Sequence, residues 1–194
     1  MKKTLVTTIF FCLAMLIATP APAGEMAGVT MDDTLRIGES TITLTGMGIR
    51  TKTFLKVRVY VAGLYMENPS SDPQKIITAD ETKRLFIQGT GPTMKVEAIR
   101  KALWAGFDAN TPDRPEDLQK KMETVANYFT EPAKKGDTFG FTYEPGIGTT
   151  VTIQGEKMQT VPGEDLMEAV FAIWFGDPPA DKGLKKSVLK GLEN

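Results

Sequence analysis

Alternation of polar and apolar residues near the start of the chain predicts β-strands. Residues 42 to 45 alternate, and apolar residues recur at Met47 and Ile49. Residues 54 to 66 place apolar side chains at the odd positions from Leu55 to Val61. A period of two is typical of a strand that packs on one face. Prolines and small polar residues between 68 and 73 predict a turn, and the next strand is expected over Arg84 to Gln88.

A period of three to four residues predicts amphipathic helices over 93–107 and 115–129. The section from 137 to 161 is rich in strand-forming residues, and its connections are so short that they predict an antiparallel meander. Glu164 to Phe175 is apolar almost all round, which predicts a helix buried between layers, and Asp181 is the expected cap of a last helix. The whole pattern predicts an α+β fold, in which helices cover one face of an antiparallel sheet.

The N-terminus has the pattern of a secretory signal peptide over residues 1–23. Two lysines precede an apolar run from Leu5 to Ala18, and Ala21-Pro22-Ala23 fits a cleavage site before Gly24. The run is too short for a comfortable membrane span, so no stable span is expected after cleavage. We therefore expect a periplasmic or secreted protein with one domain over 24–194. Its first residues, Gly24 to Asp33, show no periodicity and are interpreted as a loose leader.

Composition excludes several kinds of chemistry. The chain has no histidine, and its one cysteine, Cys12, lies in the predicted signal peptide. Histidine- or cysteine-dependent nucleophiles and the usual zinc sites are thereby excluded, and no metal site is predicted. Cleavage would leave 21 basic and 24 acidic residues, because Lys2 and Lys3 are lost from the 23 basic residues. A net charge of 21 − 24 = −3 gives no basic footprint for nucleic acid.

Three Gly-x-Gly pairs begin at Gly46, Gly89 and Gly146. None has the third glycine of a dinucleotide-binding loop or the Gly-Lys-Ser/Thr ending of a phosphate loop. They are interpreted as glycines of turns or close approaches, and no cofactor is predicted.

Arg50 and Tyr60 are the candidate ligand-binding residues. Gly46 and Gly48 share the strand face of Arg50, so a pleated strand would leave that face bare around the guanidinium, with space for a ligand. The alternative for Arg50 is an exposed arginine near a hairpin. The alternative for Tyr60 is a packing tyrosine with its hydroxyl at the rim. Tyr65 has the opposite parity to Tyr60 and fits the core.

The segment Gly46-Met-Gly-Ile-Arg50, followed by Lys56-Val-Arg-Val-Tyr-Val-Ala-Gly-Leu-Tyr65, resembles the signature of the chalcone isomerase-like family. The late segment Phe171-Ala-Ile-Trp-Phe-Gly-Asp-Pro-Pro179 is similar to the C-terminal pattern of that family. The resemblance implies an open-faced β-sandwich, a large antiparallel sheet covered by helices, with a ligand cleft between the layers.

The same resemblance implies two candidate functions. In the fatty-acid-binding members, residues matching Arg50 and Tyr60 hold a carboxylate. In the isomerases, the matching arginine stabilises a phenolate, so Arg50 would be the catalytic residue if this chain were an isomerase. The chain departs from the isomerases, because Tyr60 replaces their catalytic threonine and no tyrosine lies between Met66 and Asn127. The helix at 164–175 also lacks their substrate-binding serine or threonine. A non-catalytic binder of a fatty acid or similar amphipathic carboxylate is therefore favoured, with a chalcone-type isomerase as the alternative.

Overall fold

The computed structural model describes residues 24–52 and 55–191. The predicted signal peptide lies outside these ranges, as do Phe54 and the end of the predicted last helix. Nine strands occur within the described ranges: β1 Gly24–Met26, β2 Val29–Met31, β3 Thr34–Ile37, β4 Ser40–Lys52, β5 Val57–Met66, β6 Lys83–Gly89, β7 Thr138–Glu144, β8 Gly148–Ile153 and β9 Glu156–Lys157. The five helices there are α1 Pro73–Thr78, α2 Val96–Asn110, α3 Glu116–Asn127, α4 Glu164–Phe175 and α5 Lys182–Lys190.

Strands β3 to β9 form one seven-stranded sheet in which each strand pairs antiparallel with the next along the chain. The α+β prediction and the antiparallel meander are both confirmed. Helix α1 connects β5 to β6, and α2 and α3 connect β6 to β7, so helices are inserted between neighbouring strands. Among the helices of the described ranges, none combines the length and apolar character that a membrane crossing requires.

The larger core lies between the sheet and the helices. Helix α4 buries nine of its twelve residues, as its apolar sequence predicts. It contacts both α1 and α2 as well as β8, so it is the central element of the helical layer. From the sheet, the even positions of β5 from Tyr60 to Met66 enter this core.

A smaller core lies on the other face of the sheet and corrects two predictions. Val61 and Tyr65 of β5 pack there with Val29 and Met31 of β2. Strand β5 is therefore packed on both faces, not on one. Gly24 to Asp33 is not a loose leader, because β1 and β2 form a hairpin that covers this core.

Helix α1 was also missed, although its start has a recognisable signal. The side chain of Asp72 accepts a hydrogen bond from the backbone N–H of Gln74 at 2.9 Å, and Pro73 occupies the first turn. Both residues are typical of a helix start. The turn interpretation of residues 68–73 used the same two residues, so composition alone did not separate the two outcomes.

Candidate functional site

Arg50 and Tyr60 lie directly opposite each other on β4 and β5. Directly paired residues of an antiparallel sheet project from the same face, with their Cβ atoms roughly 5 Å apart. A bulge follows at once, because Thr51 pairs with Arg58 and leaves Val59 without a partner on β4. The bulge interrupts the alternation, so that both Val59 and Tyr60 line one cavity under the helices.

The two side chains are in contact. Nη1 of Arg50 donates a long hydrogen bond of 3.4 Å to the Tyr60 hydroxyl oxygen, and the guanidinium carbon lies 5.6 Å from the centre of the tyrosine ring. Tyr60 is buried and Arg50 is partly buried. Within the described residues, no carboxylate forms a salt bridge with Arg50. A partly buried cation without such a partner is a seat for an external anion.

Trp174 of α4 is a third member of the site, and sequence reasoning missed it. Its indole Nε1 donates a 2.8 Å hydrogen bond to the Tyr60 hydroxyl oxygen. The sequence placed Trp174 in a buried apolar helix but gave it no polar role. One signal was available, since a buried tryptophan N–H usually finds an acceptor.

The hydroxyl of Tyr60 therefore accepts two N–H donors, one from Arg50 and one from Trp174. A phenol also carries one O–H donor. In the described part of the chain this proton has no acceptor, and Tyr60 lines the cavity. The site thus offers a phenolic proton and a guanidinium to the same point.

Burial raises the pKa of Tyr60 above its ordinary value of 10.0, whereas the Arg50 charge and the hydrogen bonds from Trp174 and Arg50 act in the opposite direction. The net upward direction keeps the phenol protonated near neutral pH. Tyr60 is therefore a hydrogen-bond donor in the cavity and a poor general base.

The cavity has a volume of about 70 Å³ and is predominantly apolar. Its floor is formed by β4 to β7 and its roof by α2 and α4, with Ile87, Phe141, Leu103 and Ile173 among the apolar walls. One water molecule needs roughly 10–15 Å³ of such volume, so the cavity could hold about five waters. That volume suits a small polar head and the first methylenes of a chain.

Two loops close the cavity at the side where Pro92 and Lys134 are exposed. They are joined by a pair of backbone hydrogen bonds between Met94 and Ala133, at 2.7 and 2.9 Å. Gly89 permits a close approach, because a Cβ there would lie 2.6 Å from the carbonyl oxygen of Lys134. This side of the cavity is therefore bounded by two loop backbones in close contact, with one exposed lysine beside them.

The proposed role of Gly46 and Gly48 is wrong in its detail. They do share the face of Arg50, since their partners Leu64 and Ala62 enter the larger core with Tyr60. The bare face is occupied by α5, however, and a Cβ on Gly48 would lie 2.5 Å from the carbonyl oxygen of Leu184. The two glycines therefore make room for the close approach of helix α5 and not for a ligand. The cavity lies further along β4 and β5, at Arg50 and Tyr60.

The comparisons with known proteins agree with this architecture. The profile of the chalcone isomerase-like family matches residues 23–190. The crystal structure of a fatty-acid binding protein from Arabidopsis thaliana is similar, with a TM-score of 0.70 and 17% sequence identity over 89% of this chain and 100% of that one. A search of curated proteins finds no match. The chain belongs to the chalcone isomerase-like family, and the fold that the resemblance implied is confirmed.

Proposed function

We propose that this protein binds a fatty acid or a similar amphipathic carboxylate and does not transform it. Arg50 and Tyr60 hold the carboxylate in this proposal, and the apolar cavity receives the start of the acyl chain. The Arabidopsis protein of the same fold is described as a fatty-acid binding protein, which supports a small-molecule ligand of this class.

One observation carries the proposal: a cation without a carboxylate partner in the described chain and an unused phenolic proton meet at one apolar cavity. A carboxylate accepts two parallel hydrogen bonds from a guanidinium and a further one from a hydroxyl. Such an anion would use both unused groups at once. The methylenes behind it would each gain about 0.8 kcal/mol by leaving water.

The alternative is an isomerase in which Arg50 stabilises the phenolate of a chalcone-like substrate. The geometry offers the cation for this role but not the base, since burial raises the pKa of Tyr60. A proton transfer through Tyr60 as a base is therefore disfavoured near neutral pH. Absorbance decay of a chalcone above its spontaneous rate, lost in Arg50→Ala, would favour the enzyme over the binder.

Calorimetric titration of the delipidated chain from Gly24 onward with decanoate tests the binder. All described helices and strands lie within this chain. We expect Arg50→Ala to weaken binding by at least about tenfold, because a charge-assisted contact is worth roughly 1.5–3 kcal/mol. Arg50→Lys should recover only part of the loss, since an ammonium cannot make the bidentate contact.

Arg36→Ala is the matched control. Arg36 is an exposed strand arginine whose Nε donates to the carbonyl of Gly38, and it does not line the cavity. Its removal should leave decanoate affinity unchanged. Equal binding by Arg50→Ala and the parent chain would refute the proposal, as would equal affinity for decanoate and its methyl ester.

We also propose that the protein is exported and acts beyond the inner membrane. The sequence of residues 1–23 supports this, with its lysines, apolar run and small-residue cleavage site. Determination of the N-terminus of protein isolated from the host should give Gly24 as the first residue. An intact Met1 would contradict export by this route.

A further inference from the structure

The described part of the β4–β5 hairpin tip, Lys52 together with residues 55–58, exposes two apolar side chains. Leu55 is 71% exposed and Val57 is 40% exposed. Ile147, at 57%, is the remaining large hydrophobic side chain found exposed in the described ranges, and it lies in the β7–β8 turn. The pairing of β5 with β6 and of β6 with β7 places that turn at the opposite end of the sheet. The hairpin tip is therefore a distinct apolar feature.

Exposed cations flank these two side chains. Lys52, Lys56 and Arg58 are all exposed, whereas the sequence from 40 to 66 contains no aspartate or glutamate. One carboxylate approaches from another element, since Asp181 accepts a 3.4 Å hydrogen bond from the backbone N–H of Thr51. The local excess of positive charge contrasts with the whole chain, whose net charge is −1.

The hairpin tip adjoins the ligand cavity. Val59 and Tyr60, which line the cavity, follow the tip directly along β5. The carbonyl of Arg58 is in close contact with Gly91, another lining residue, because a Cβ at Gly91 would collide with it. Lys134 adds a further exposed cation to the cavity lining.

We propose that this tip docks the protein on an anionic lipid surface, with Leu55 and Val57 in the interfacial layer and the cations on the headgroups. Two apolar side chains on a hairpin are far too little for a stable protein interface, which needs about 1,000 Å². A bilayer has no such requirement, because apolar insertion and electrostatic attraction to anionic lipids act together. The proximity of the cavity means that an amphipathic ligand enters or leaves at the membrane, a step that rests on the proposed function.

Vesicle co-sedimentation of the chain from Gly24 onward tests the docking. We expect binding to vesicles of phosphatidylcholine with phosphatidylglycerol and little binding to phosphatidylcholine alone. Binding should fall as salt rises, since the headgroup contacts are exposed and screened. Lys56→Gln and Arg58→Gln should each weaken binding about fivefold, as expected for one surface charge. The double variant Leu55→Ser, Val57→Ser should weaken it about tenfold or more.

Matched controls are available at the far end of the sheet. Ile147→Ser removes an apolar side chain whose exposure lies between those of Leu55 and Val57. Lys75→Gln removes an exposed lysine of α1, which follows the far end of β5. Both should bind vesicles like the parent chain. Circular dichroism and thermal unfolding of the Leu55→Ser, Val57→Ser variant should match the parent, because exposed side chains contribute little to stability.

Three results would overturn the docking: equal binding to neutral vesicles, unchanged binding of the Leu55→Ser, Val57→Ser variant, or equal losses in Ile147→Ser. Gel filtration tests whether a second copy of the chain, and not a lipid surface, binds the hairpin tip. A dimer of the parent chain that becomes a monomer in the double variant would make the tip a contact between copies and refute the lipid surface. Arg50→Ala should lose decanoate and keep vesicle binding, so that failure of the ligand site and failure of the docking surface are separable.

Discussion

The indole N–H of Trp174 donates a 2.8 Å hydrogen bond to the hydroxyl of Tyr60, which lies 114 residues earlier in the chain. This contact ties α4 to the sheet at the point where Arg50 also reaches the same oxygen. Both donors occupy the phenol oxygen, so the O–H remains available as a donor on a residue that lines the cavity. Trp174 lines the cavity itself, and through this hydrogen bond it also positions the Tyr60 hydroxyl.

Trp174→Phe should weaken decanoate binding about three- to tenfold, the range expected for one net hydrogen bond. The indole hydrogen bond also lowers the pKa of Tyr60, so its loss should raise that pKa further and make the phenol a weaker donor. Affinity for the methyl ester should not fall in parallel. Trp104→Phe is the control, since Trp104 packs edge-on against Phe107 away from the cavity lining. Equal effects of the two substitutions on decanoate would contradict the positioning role.

The cavity volume sets an expectation for chain length. Across straight-chain acids from butanoate upward, affinity should rise about fourfold per methylene while the chain enters the cavity of about 70 Å³. The gain should then diminish, because later methylenes meet no buried wall. Ala102 lines the cavity from α2, so Ala102→Leu should reduce the cavity volume. The affinity should then stop rising at a shorter acid than in the parent chain. Ala105→Leu, on the exposed side of the same helix, should not change this length. A constant increment up to hexadecanoate would show that the helical layer opens around the chain.

The sequence was sufficient for the strand framework and for the shared face of Gly46, Gly48 and Arg50, because a period of two survives in a twisted sheet. The two bulges were missed. The register shifts at Thr45 and at Val59. The first shift leaves a mark that was overlooked, because the apolar positions change from even, at Ile42 and Leu44, to odd after Thr45. The shift at Val59 leaves no such mark, because the odd positions stay apolar on both sides of it. The bulge at Val59 is what brings two consecutive residues into one cavity, so the details of the site were beyond periodicity.

Other features were missed although the chain carried weak signals for them. The β1–β2 hairpin turns through Ala27 and Gly28, whose φ values of 53° and 79° fit a two-residue turn ending in glycine. The glycines at 46 and 48 indicated close approach, but only the contact with α5 shows what approaches. Such long-range partners depend on tertiary packing, which a single sequence does not specify locally.

Lys83 is fully buried and caps α1 from outside the helix. Its ammonium donates to three carbonyl oxygens at the end of α1, those of Ile76, Ile77 and Ala79, at 2.8 to 3.0 Å. Lys83→Met should lower the free energy of unfolding by about 2–4 kcal/mol, because one buried and two partly buried carbonyl acceptors lose a charged donor. Urea unfolding measures this, with Lys75→Met as the exposed control on α1. A loss no larger than that of the control would contradict the capping role.

The same lysine predicts a pH dependence. Burial lowers the pKa of Lys83 from 10.5 to about 8, while the neighbouring acids Glu81, Glu168 and Asp80 oppose the shift. Between these two values the unfolded chain binds more protons than the folded chain, so the Lys83 contribution to stability rises with pH across this window. The size of the pKa shift limits this rise to at most about 3 kcal/mol, and the three carbonyl acceptors, which favour the ammonium, make it smaller. The effect is measured as the difference in the free energy of unfolding between the parent chain and Lys83→Met across this pH window. A difference that falls as the pH rises would contradict the prediction.

Gly48→Ala tests the close contact between β4 and α5. An added Cβ would lie 2.5 Å from the backbone oxygen of Leu184 and 3.0 Å from its Cγ, and a helix backbone cannot move aside cheaply. We expect a loss of about 1–3 kcal/mol in the free energy of unfolding, as for other overpacked cores. Gly183→Ala places the same methyl group near the start of α5, where the nearest contact is Asp181 Oδ1 at 3.2 Å, and should be neutral or slightly stabilising.

Decanoate affinity of Gly48→Ala should stay within about twofold of the parent where both are folded, because Gly48 contacts α5 and does not line the cavity. A specific loss of affinity with unchanged stability would restore the ligand role first expected for this glycine.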